Sequence, residues 1–247
     1  MSGQPDKRCR SDGKITPMTR PTRPTLPARA HLLLGLLLST VSILTWSQSV
    51  REQEQASCLP GEISTWPDGV DQPMATGRLR LVYRHDGAPP GLSEAQVLGA
   101  VQRAAQAWSA CDIPVEVISE AAAAIEPASV ARVQWSEAAA RGQPGLANQA
   151  TRTLSLAPGI FARLAARQPP APAFQILQMI ISHEMGHFMG LRAHSRRCID
   201  VMSYYKDDKG QVCSTRDGRP YTAVPEYRAL LPTACDIARC KAINARR

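Results

Sequence analysis

Over residues 78–84 apolar Leu79, Leu81 and Tyr83 alternate with basic residues, Val82 excepted. That period of two predicts a strand over 78–84 with one buried face. Ser93, with Gln96 three residues on, forms a capping box. Val97, Leu98, Val101, Ala104, Ala105 and Trp108 then recur as a single helical stripe, which places Trp108 in the core. Residues 114–118 and 130–135 predict two more strands joined by an Ala-rich connection, and 151–156 predicts another. Residues 168–172 hold three prolines, a stiff connection that is not helical, so the next helix is expected to begin near Phe174. Ile176, Leu177, Ile180, Ile181, Met185, Phe188 and Met189 cover much of that helix's circumference, so it should be central and buried. Past Gly190 the only helical signals are short ones, at 226–231 and 235–243.

The front of the chain has no such period. Residues 1–31 form a basic leader rich in Pro, Thr and Arg and are expected to be disordered. Residues 32–50 open with an apolar run of about 15 residues, the length of a signal peptide core or a short anchor. Ser47 and Ser49 would allow cleavage after Ser49, whereas the long leader favours an uncleaved signal anchor. Either reading exports the rest: a linker with turns at 51–77, then a folded domain at 78–247.

Charge changes this picture little. The net charge is +8, but Lys7, Arg8, Arg10, Lys14, Arg20, Arg23 and Arg29 against Asp6 and Asp12 put +5 of it before the apolar run. A basic cluster beside an apolar segment is a topology signal, so membrane is expected as a partner through that segment and nucleic acid is not. Six of the seven cysteines follow the segment, an even number that suits three disulfides in an oxidising compartment. Cys198 with Cys213 would staple one loop and Cys235 with Cys240 would close another, leaving Cys58 with Cys111, although spacing alone does not fix the pairing. A structural metal is disfavoured because no Cys-x-x-Cys spacing occurs.

The candidate chemistry lies at residues 183–194. His183 and His187 are four apart on the central helix, so both imidazoles can face one ion, with Glu184 beside the first. With a third protein ligand, Zn²⁺ would keep a fourth position for water and lower its pKa to about 7. Glu184 could then take the proton and return it to a leaving amine. Gly190 suits a left-handed C-cap that turns the chain back toward the ion.

His183, Glu184, His187, Gly190 and, further on, Met202 resemble the metzincin zinc endopeptidases, most closely the matrixin-type and small bacterial secreted members. One position departs from their pattern. The third ligand should fall at residue 193, which is Ala193, and the nearest imidazole is His194; Asp200 is the alternative oxygen ligand. The resemblance implies an α+β fold: a twisted mixed sheet of four to five strands on two long helices, with a small, irregular, disulfide-bonded C-terminal lobe. It implies Met202 as an apolar floor beneath the metal and Tyr204, with Tyr205 as competitor, as a hydrogen-bond donor to an oxyanion. Residues 146–153 would be either the substrate-pairing edge strand or an ordinary fourth strand. The expected function is a zinc-dependent endopeptidase, exported and monomeric, acting on protein or peptide substrates. Its rivals are a membrane-tethered binding module with a degenerate site, which Ala193 favours, a gluzincin-type peptidase with Glu226 as ligand, and a structural zinc protein.

Overall fold

The computed structural model describes residues 49–123, 130–221 and 226–245. The leader and nearly all of the apolar segment expected at 32–50 lie outside these residues, and among those described no helix is long and apolar enough to cross a membrane. In chain order the elements are α1 (Val50–Ala56), β1 (Leu79–Tyr83), α2 (Glu94–Trp108), β2 (Val115–Val117), α3 (Glu120–Ala123), β3 (Val130–Trp135), α4 (Glu137–Ala140), β4 (Gly145–Asn148), β5 (Thr153–Leu156), α5 (Pro158–Arg167), α6 (Pro170–Phe188) and α7 (Ala234–Asn244). The fold is α+β.

The strands form one mixed sheet in the order β2-β1-β3-β5-β4. β1 pairs in parallel with β2 and β3, and β3 with β5. Parallel neighbours need long crossovers, and the helical segments between them provide these. β4 and β5 are antiparallel, so a tight turn suffices. Arg152 takes a left-handed φ of 51° at its end, and its Nε donates to the Val130 carbonyl. β4 is thereby left as an edge.

Leu79, Leu81, Val133, Leu154 and Leu156 from the sheet share one core with Val97, Val101 and Trp108 of α2 and Leu177, Ile181 and Met185 of α6. Trp108 is fully buried, and its indole N–H donates to the Ser182 carbonyl at 2.9 Å, fixing α2 against α6. α6 begins at Pro170, four residues earlier than expected from its prolines. The first turn of a helix has no partners for its N–H groups, so prolines there remove nothing the helix uses. α5 has no counterpart among the elements expected from the sequence; of its side chains only Phe161 is buried, so its apolar stripe is narrow.

The C-terminal part differs from expectation in two respects. No helix forms at 226–231; Ala229 N–H donates to the Ile199 carbonyl, and Leu230 offers its carbonyl to the Ser182 hydroxyl. The disulfides are Cys198–Cys213, as expected, together with Cys58–Cys235 and Cys111–Cys240. The pairs Cys235–Cys240 and Cys58–Cys111 are therefore corrected. Residues five apart on a helix point to different faces, and α7 carries both Cys235 and Cys240, so each reaches a separate segment.

The stretch at 51–77, expected to be a linker, belongs to the same unit as the sheet. It opens with α1, capped by Ser49 and Glu52, and buries Glu54 and Trp66. After Cys58 it runs as a strap across the turn that follows α6, with Trp66 N–H donating to the His194 carbonyl and Gln72 N–H to that of Gly190.

Candidate metal centre

α6 brings His183, Glu184 and His187 to its last turns, on the side facing β4 and the loop around Met202. Gly186 lies between the two histidines because nothing larger fits. A β-carbon there would stand 2.2 Å from Met202 Sδ and 2.8 Å from Trp108 Cζ2. Met202 is fully buried, packed against the helix directly under the histidine pair. Gly190 ends the turn at φ +97°, and a β-carbon there would meet the Gln72 carbonyl at 2.2 Å. Positive φ and a close backbone neighbour both require glycine at that position.

The turn delivers His194 to the other two. Ligand atoms of His183, His187 and His194 all lie within 4.8 Å of one another, and the three ring centroids are mutually 5.1 Å apart. Each Nδ1 has an acceptor: the Val201 carbonyl for His183 at 2.7 Å, the Leu191 carbonyl for His187 at 2.7 Å, and Asp68 Oδ2 for His194 at 2.6 Å. An acceptor at Nδ1 favours the proton there, and a neutral ring held in this way presents Nε2 with a bare lone pair. Burial holds the His183 imidazole well below its ordinary pKa, with the neighbouring His187 adding to it. Burial and His187 bring His194 to about 4 against the opposing pull of Asp68. Both rings are neutral near pH 7, the state a metal ligand needs.

Glu184 stands beside this cluster and is almost fully buried. Burial raises its pKa, while His187 and the Ala147 N–H, which donates to Oε2 at 2.7 Å, pull it down. Ala147 lies on β4, and Gly145 of that strand packs so closely on α6 that a β-carbon would stand 2.5 Å from Ile180 Cγ2 and 2.9 Å from Glu184 Cγ. Tyr204 covers the opening, 44% exposed, its ring 3.8 Å from that of His194 and 6.0 Å from that of His183. Tyr205 turns away; its hydroxyl bonds Glu226 and accepts from the Tyr227 N–H. The resulting cleft, about 390 Å³, is lined by β4, the three histidines, Glu184, Arg192 and Tyr204.

Neither alternative ligand joins the cluster. Asp200 is buried and accepts from the hydroxyls of Ser195 at 2.6 Å and Thr233 at 2.7 Å, so it braces the loop before Met202. Glu226 pairs with Arg228 at 2.8 Å. Ala193 is 3% exposed, with its N–H donating to Asp71 and its carbonyl accepting from Arg239. Sequence reasoning missed Asp68 and Asp71, which hold this turn from more than a hundred residues upstream; Pro67-Asp68-Gly69 carries only the signal of a turn. A second grouping, Cys58, Glu62 and Cys235, has both sulfurs in a disulfide and offers no thiolate.

Fold and site together define an α+β protein with three converging imidazoles beside a buried carboxylate and a sheet edge. No family model matches the chain, and no curated protein does. Among solved structures it is similar to one described as the GM1-bound form of the ECX AB5 holotoxin, at 11% identity over 73% of this chain and 91% of that one, with a TM-score of 0.42. At that score the likeness carries no argument about function.

Proposed function

We propose that the chain is a zinc-dependent endopeptidase of metzincin type, exported to an oxidising compartment. The observation that carries this reading is the set of three imidazoles with bare Nε2 atoms beside Glu184. Three imidazole nitrogens in a compact triangle, with no carboxylate among them, suit Zn²⁺ with an open fourth position and disfavour the oxygen-seeking Ca²⁺ and Mg²⁺. Held there, the ion would polarise a peptide carbonyl and acidify water.

The chain's own groups supply the rest. Glu184 is held by the Ala147 N–H through Oε2, which leaves Oε1 to take a proton from the attacking water and pass it to the leaving amine. Its raised pKa makes it a stronger base for the first transfer than an exposed glutamate would be. β4 is an edge strand whose outer side faces the cleft, so an extended peptide can pair with its backbone and lie across the histidines. The Tyr204 side chain borders the same cleft, where its hydroxyl would donate to the oxygen that gains charge. Met202 closes the floor and keeps water from beneath the cluster.

The test uses the oxidised full-length chain: bound zinc is measured, and hydrolysis of casein is followed for wild type and Glu184→Ala. One zinc per chain in both, with hydrolysis only by wild type, is the expected result. No zinc in either would replace this reading with a non-catalytic binding module.

A further inference from the structure

His194 differs from the other two histidines in how it is held. The Nδ1 partners of His183 and His187 are backbone carbonyls of residues 201 and 191. The partner of His194 is a carboxylate 126 residues earlier in the chain, on the strap between Cys58 and β1. Asp68 uses both oxygens on this one residue: Oδ1 accepts from the His194 N–H at 3.0 Å and Oδ2 from Nδ1 at 2.6 Å. Asp71, three residues on, accepts from the N–H groups of Arg192 at 2.9 Å and Ala193 at 3.1 Å. Two strap carboxylates thus take three consecutive N–H groups, of residues 192, 193 and 194.

The strap is itself fixed. Asp71 bonds Nε and a terminal nitrogen of Arg239 on α7 at 2.6 Å each, and Cys58 is joined to Cys235 of the same helix. Gly69 lies so close to the turn that a β-carbon would meet the Arg192 carbonyl at 2.7 Å. Asp71 and Arg239 between them grip both sides of Ala193, which leaves His194, and not residue 193, directed at the cluster.

We propose that Asp68 is the positioning residue of the third metal ligand, and that the strap at 58–74 is part of the metal site and lets a ligand one residue late take its place. This rests on the metal-site reading above. The carboxylate fixes the Nδ1 proton of His194 and thereby the lone pair on Nε2; the other two ligands do not depend on the strap in this way.

The test is zinc affinity of the full-length oxidised chain, measured by competition with a chromophoric chelator, for wild type, Asp68→Asn, His194→Ala and the double variant. An amide has one acceptor oxygen, so asparagine can hold the His194 N–H or accept from Nδ1 but not both. Asp68→Asn should weaken zinc binding about 10- to 100-fold, with the melting temperature of the metal-free protein and its disulfides as in wild type. In the His194→Ala background the same change should weaken it no further, and Asp217→Asn, an exposed charge control, should have no effect. Wild-type affinity in Asp68→Asn, or an equal loss in both backgrounds, would overturn the proposal. If asparagine costs the protein its disulfides, Asp68→Ser is read by the same criteria. Zinc failing to bind wild type would overturn the metal reading and this one together, whereas zinc bound equally by wild type and Asp68→Asn overturns this one alone.

Discussion

Gly186→Ala tests whether the floor of the site is as tightly built as its contacts indicate. The added methyl would lie 2.2 Å from Met202 Sδ, 3.2 Å from Met202 Cε and 2.8 Å from Trp108 Cζ2. Ordinary carbon contacts are about 3.5–4.0 Å, so at least one neighbour must move by about 1.5 Å. Trp108 can move only by giving up its hydrogen bond to the Ser182 carbonyl, and Met202 is fully buried. Overpacking costs about 1–3 kcal/mol, and a lost buried hydrogen bond about 1 more. Alanine's better helix propensity offsets about 1. The net expectation is about 2 kcal/mol of destabilisation by chemical denaturation, with weaker zinc binding because the two helical ligands are displaced together. Met202→Ala alone should destabilise by about 2–5 kcal/mol through the cavity it leaves. Combined, the two changes should cost less than their sum by about 1–2 kcal/mol, since the new methyl enters the vacated space. Additive costs, or a Gly186→Ala variant as stable as wild type, would refute this packing.

Three further outcomes are expected. Non-reducing peptide mapping should recover Cys58–Cys235, Cys111–Cys240 and Cys198–Cys213; a Cys235–Cys240 peptide would contradict α7. Asp71→Ala should cost about 3–5 kcal/mol in denaturant, because it strands the buried Arg239 guanidinium and two N–H groups; a loss under 1 kcal/mol would show the strap to be a minor support. Asp236 is fully buried, and burial together with neighbouring Asp200 raises its pKa from 3.8 to about 7. Because the folded state holds this proton more tightly, its contribution is complete below about pH 4 and is lost as the pH rises through about 7. Asp236→Asn should therefore flatten the fall in melting temperature between pH 5 and pH 8.5, and an unchanged fall would refute the assignment.

The elements legible in the sequence are those whose signal is local. The alternation at Leu79, Leu81 and Tyr83 marks β1 as a strand, although Val82 on its other face is buried as well, against Ala123 and Val130; the capping box at Ser93 starts α2, and the spacing of His183 and His187 places both on one face of α6 because helix geometry leaves no other choice. Gly190 announces its turn for the same reason, since positive φ suits few other residues. The misplaced start of α6 also has a local cause: proline forbids a helix interior but is accepted in a first turn, and the sequence does not say which one it occupies.

What the sequence leaves open is decided by contacts between segments far apart in the chain. Six cysteines are compatible with several pairings, and only the position of α7 sends Cys235 to the strap and Cys240 to the end of α2. Pro67-Asp68-Gly69 reads as a turn in a linker, yet Asp68 meets His194 because Asp71, Arg239 and Gly69 bring strap and turn into backbone contact. Whether residue 193 or residue 194 faces the cluster depends on hydrogen bonds from 126 residues away, which no local pattern encodes. Sequence by itself placed two imidazoles and a carboxylate together on a buried helix and pointed to His194 as the third imidazole; only the tertiary structure shows what holds that residue at the cluster, because a loop takes its conformation from whatever satisfies its N–H groups.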